Sequence, residues 1–126
     1  RLLGVPPGRY RVLIERDGGL GLTAVDRKVN LIDLRRTDAD GYVRSTLLVD
    51  LATIADPALV SLPPLHDGDI RLGDPFGVVC ESIEAIHPVG RDRLLLGCDN
   101  NLPNTGRNPG RADDNEFIVV EVPALR

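Results

Sequence analysis

Residues 91–101 read Arg91-Asp92-Arg93-Leu94-Leu95-Leu96-Gly97-Cys98-Asp99-Asn100-Asn101, and residues 9–19 read Arg9-Tyr10-Arg11-Val12-Leu13-Ile14-Glu15-Arg16-Asp17-Gly18-Gly19. Both begin R-x-R, pass through three aliphatics and two variable residues, and reach an aspartate followed by two turn formers. A short apolar run bounded by turn residues reads as a strand. Each copy is followed by a polar loop and a second aliphatic run, over 28–34 and over 117–122. The offset is 82 residues, from 9 to 91. That spacing suits one propeller sheet of about 40–50 residues plus an irregular insertion. Radially repeated sheets are the natural architecture for such a pattern. The expectation is an all-β chain forming a partial β-propeller. Because two sheets cannot close a ring, it would be roughly the last two blades of a larger one.

Further strands are expected over 46–51 and over 78–86, the latter ending in the turn His87-Pro88-Val89-Gly90. Residues 56–77 show no period and are punctuated by Pro57, Pro63, Pro64, Gly68, Gly73 and Pro75. The chain therefore divides into a blade-like unit (1–55), an irregular Pro/Gly-rich connection (56–77) and a C-terminal blade with a long polar loop (78–126). No helical period persists beyond a turn or two.

Composition narrows the function classes. The net charge is −4 and the sequence pI near 5.1, so there is no basic field for nucleic acid, and acidic clusters invite cations instead. No stretch approaches the roughly 20 apolar residues of a membrane helix. The 126-residue chain starts at Arg1 rather than Met, which reads as a mature chain or an excised segment. Cys80 and Cys98 fall on neighbouring strands and lie opposite one another if the turn is centred on Val89. They are either a cross-strand disulfide, favouring an oxidising compartment, or two small buried thiols.

The loop over 99–116 is the candidate site. It carries Asp99, Asp113, Asp114 and Glu116, with Asn100 and four further asparagines, and the cations Arg107 and Arg111. Long polar loops between strands are uncommon unless functional or disordered. Oxygen-rich clusters suit a hard cation such as Ca²⁺, or a phosphate held through a cation and an arginine. In propeller geometry Glu81, Asp99 and this loop converge on one face, together with Glu15-Arg16-Asp17 and the 17–27 loop of the preceding sheet. The alternatives stay open at each residue: Asp99 caps a turn, Asp113, Asp114 and Glu116 hold the loop through Arg107 and Arg111, or Arg107 pairs with Asp113 or Asp114. His66 and His87 lie far apart and from any cysteine spacing, so zinc is not expected. There is no G-x-S-x-G elbow and no phosphate-cradling G-x-x-x-x-G-K.

Cys80-Glu81-Ser82-Ile83-Glu84-Ala85-Ile86, Leu95-Leu96-Gly97-Cys98-Asp99-Asn100-Asn101-Leu102-Pro103 and Gly106-Arg107 through Asp113-Asp114-Asn115-Glu116-Phe117-Ile118 resemble the C-terminal end of the "esterase-like activity of phytase" family. Leu13-Ile14-Glu15-Arg16-Asp17 is similar to an upstream element of that family. The chain departs from the pattern at Gly97-Cys98 and in lacking the N-terminal blades. The resemblance implies an extracellular or periplasmic β-propeller hydrolase acting on phosphate esters. By analogy with propeller phytases, Ca²⁺ would be held by Glu81, Asp99, Asn100, Asp113, Asp114 and Glu116. Glu81, Asp99 and Arg107 would act on the substrate, with Arg107 stabilising developing charge. The partners implied are a small phosphate ester and the remaining blades. The competing expectation is a non-catalytic propeller module for binding or scaffolding, its loops rigidified by Ca²⁺ or by internal ion pairs.

Overall fold

A computed structural model describes residues 21–24, 26–99 and 106–125, and the backbone of 11–17. It is all-β, with no α-helix among the described residues. The strands are β1 (Arg11–Asp17), β2 (Arg27–Thr37), β3 (Val43–Asp50), β4 (Ser82–Val89), β5 (Arg93–Asp99) and β6 (Phe117–Glu121). They form two antiparallel three-stranded meanders, β1-β2-β3 and β4-β5-β6. No helix among the described residues is long and apolar enough to cross a membrane.

The alternation of β5 explains the core. Leu94, Leu96 and Cys98 share one face and are buried, and Val120 on β6, Val122 beyond it and Ile83 on β4 close over them. Val29 of β2 and Leu51, just past β3, join the same cluster. One core therefore serves both sheets, and it lies mainly on the second. The outer half of the β2–β3 hairpin stands clear of it, with Leu34, Tyr42, Val43 and Leu47 exposed.

Two expectations need correction. The β4–β5 turn lies at 90–92, not 87–90, because Val89 pairs with Arg93 and Pro88 with Leu94. Pro88 is tolerated because β4 is an edge strand, and Gly90, at φ 71°, takes a left-handed conformation that a residue with a Cβ rarely adopts. A bulge at Glu84 shifts the register once more, so Cys98 faces Ile83, and Cys80 lies before the strand begins. The cysteines are thus not direct cross-strand partners. They are nevertheless bridged, with Cα atoms 6.0 Å apart, inside the range a disulfide spans.

The connection before β4 is irregular but internally ordered. Asp56 accepts from the backbone N–H groups of Val60 and Ser61 and from the Ser61 hydroxyl (2.6 Å), and Gly73 donates to that hydroxyl in turn. A bridge between Ile54 and Phe76 closes the base. These bonds give the backbone of a long loop the partners that a sheet would otherwise supply.

Candidate functional site

The loops at one end of the sheets meet. Asp17 pairs with Arg27 at the end of β1, and Ser82 pairs with Asp99 at the same end of the second sheet. Gly21 donates to the Glu81 carbonyl at 3.0 Å, and the Glu81 N–H reaches Asp113 Oδ2 at 3.4 Å. Gly21, Glu81 and Asp113 therefore lie side by side. Asn100 lies outside the described residues, as do the turn glycines Gly18 and Gly19.

Arg107 is the most constrained side chain here. Its Nε and Nη2 donate to the two Glu116 carboxylate oxygens at 2.7 and 3.0 Å. Nη1 donates to the carbonyls of Ile70 (2.8 Å) and Arg71 (3.3 Å), and Nη2 also to that of Gly77 (3.1 Å). A guanidinium has five N–H donors, and all five are committed. The group also stacks over the Phe76 ring, 4.5 Å from its centroid. Its ion-pair partner is Glu116, not Asp113 or Asp114. Ladder pairing explains the choice: Gly97 sits opposite Phe117 and Cys98 donates to the Glu116 carbonyl, which fixes Glu116 beside the insertion. Asn108 extends the seam by donating to the Asp67 carbonyl and to Asp69 Oδ1, both at 2.9 Å.

Asp113 is buried, whereas Asp114 is exposed and Asp99, Glu81 and Glu116 are half-buried. Burial raises the Asp113 carboxyl above its ordinary value; the Glu81 N–H opposes this, and the charges of Glu116, Asp114 and Glu81 add to the rise. A Cβ at Gly106 would land on the Asp113 carboxylate, so only glycine lets the chain pass so close. Chemically, Asp113 is suited to hold a proton to higher pH than a surface aspartate does.

Among the described residues no group of three or more His, Cys, Asp or Glu side chains is placed to hold a metal ion. Glu116 is spent on Arg107, and Asp113 turns towards the Glu81 backbone.

No family model, curated protein or solved structure matches this chain.

Three residues of structural weight give little signal in the sequence. Arg27 is 1% exposed. It donates to the carbonyls of Gly21, Val78 and Glu81 and to the Cys80 sulfur, tying the first sheet to the disulfide. Between Asp26 and Lys28 it reads as a solvated charge. Asn108 likewise reads as one turn residue among many. Only Asp56, four and five residues before the N–H groups it accepts from, carries a local signature of a side-chain cap.

Proposed function

We propose that the chain is a non-catalytic structural and binding module of a larger propeller-like protein, its rim loops locked by internal ion pairing rather than by a bound cation. Arg107 carries this reading. Every donor it has is engaged by Glu116 and by carbonyls of the insertion, so a substrate phosphate would have to displace them. The propeller reading draws support from the repeat: shifted by 82 residues, the bounds of β1 fall on those of β5. On that superposition β4 precedes the shared pair and β3 follows it, so each meander would match an overlapping part of one four-stranded repeat. The exposed apolar residues of the β2–β3 hairpin are the kind of surface a neighbouring blade covers. The disulfide favours an extracellular or periplasmic setting.

A second reading, the phytase-like phosphate-ester hydrolase, is favoured by Asp113, whose raised carboxyl beside Glu81 and Asp114 suits proton transfer. Calcium held at Glu116 would need that carboxylate released from Arg107. The two readings part on variants assayed with p-nitrophenyl phosphate and phytate, with and without EDTA. Turnover abolished by Asp113→Asn with the melting temperature retained would establish the hydrolase and remove the module. Arg107→Ala losing stability, in a chain whose background turnover Asp113→Asn leaves untouched, is the outcome expected of the module.

A further inference from the structure

Between the turn Gly21–Thr23 and the end of the insertion lies a cavity of about 250 Å³, whose lining includes Leu22, Arg27, Ala52, Ile70, Arg71 and Val78. Arg27 and Val78 are buried and form its floor, while Leu22 and Arg71 are exposed and mark its mouth. The chain carries a net charge of −4. Two arginines and, among the described residues, no aspartate or glutamate line this cavity, and a cleft lined by one sign of charge draws the opposite sign.

The two arginines play different parts. The Nη groups of Arg27 are engaged with three carbonyls and a disulfide sulfur, so Arg27 is held in the floor and is not free to take a ligand. Arg71 makes no side-chain ion pair or hydrogen bond among the described residues. Its backbone stands at φ 59°, in the left-handed region that disfavours any residue bearing a Cβ. The structure holds it there from both sides, because the Arg71 carbonyl accepts from the Gly77 N–H at 3.0 Å and from Arg107 Nη1 at 3.3 Å. Strain that the surroundings impose on a cavity-lining residue is an observation from which function is inferred.

We propose that this cavity binds a short-chain aliphatic carboxylate, its head on the Arg71 guanidinium and its tail against Leu22, Ala52, Ile70 and Val78. One unengaged guanidinium fork matches one planar carboxylate bidentately. A phosphate dianion calls for more donors than a single fork offers, and the apolar walls reward methylenes rather than further oxygens.

The experiment titrates the 126-residue chain with sodium acetate, butyrate and hexanoate at constant ionic strength, followed by calorimetry, with inorganic phosphate as a separate arm. Affinity is expected to rise about fourfold per methylene until the cavity is full. Arg71→Gln should weaken hexanoate binding about tenfold or more. Arg71→Gly removes the fork and also relaxes the backbone, so hexanoate binding should vanish while the melting temperature holds or rises. Hexanoate affinity unchanged in both variants, affinity independent of chain length, or phosphate bound more tightly than hexanoate would each overturn the assignment. The last result would make this an inorganic-anion site.

Discussion

Replacing Arg107 by methionine tests the loop seam most severely. Methionine keeps apolar bulk near the Phe76 ring and removes all five donors. The lost pair with Glu116 is largely enclosed, since the two side chains are 13% and 26% exposed. Breaking a buried pair costs about 3–5 kcal/mol, whereas an exposed pair contributes less than about 1 kcal/mol. The carbonyls of Ile70, Arg71 and Gly77 also lose their donors, although water reaches the Arg71 bond, which is exposed. Weighing enclosure against that access, the expected loss is about 3 kcal/mol. For a domain of this size it corresponds to a melting temperature lower by roughly 10 °C. The chain has no tryptophan, so urea unfolding is best followed by far-UV circular dichroism. Glu116→Gln, which keeps the shape and loses the charge, should cost about 1 kcal/mol. The double variant should cost clearly less than the sum of the singles, because the partners are in direct contact. A loss under about 1 kcal/mol for Arg107→Met, or strictly additive singles, would refute the seam.

Other outcomes follow from the same geometry. The Asp113 carboxyl lies above its ordinary 3.8 in the folded chain, so its favourable contribution is complete below 3.8 and is lost as pH rises through the folded value. Asp113→Asn should therefore be more stable than the parent at pH 7, with the gap closing near pH 3; a variant less stable at pH 7 would contradict this. Asp56 runs the other way. The Ser61 hydroxyl, against the effect of burial and with the N–H groups of Ser61 and Val60, holds its carboxyl below the ordinary value. Its contribution is present above 3.8 and fades as pH falls through the lower folded value, so Asp56→Asn should lose stability at neutral pH and converge with the parent in acid melts. The Cys80–Cys98 bridge closes a separation of 18 residues, and replacing both cysteines by serine should cost about 3 kcal/mol; thiol titration of the unreduced, denatured parent should find no free thiol. Leu96→Ala, at a side chain with no exposed surface, should cost about 2–5 kcal/mol in urea unfolding.

The strands were legible because their signal is local. Val12-Leu13-Ile14 and Leu94-Leu95-Leu96 between turn residues leave few alternatives, and the observed strands fall on them. The β4–β5 turn was misplaced because proline and glycine both signal turns. Whether Pro88 sits in a turn or on an edge strand depends on which strands neighbour it, and that is tertiary information. The same limit applies to the site. Strand order brings the end of β5 beside the start of β4, and the structure places the Glu81 N–H against Asp113 of the acidic loop. Which of the three acids pairs with Arg107 was not legible. It depends on the ladder that fixes Glu116 and on carbonyls from the insertion 30 to 37 residues away. Arg27, polar by composition, is buried by contacts with residues 51 to 54 positions away.

Calcium bears most directly on the central claim that internal pairs, not a cation, hold the rim loops. Thermal unfolding of the parent chain would be recorded in EDTA and across a CaCl₂ titration into the millimolar range, with MgCl₂ as a control for ionic strength. The account predicts one melting temperature throughout. A rise specific to calcium, of the size that mass action gives a site near saturation, would contradict it.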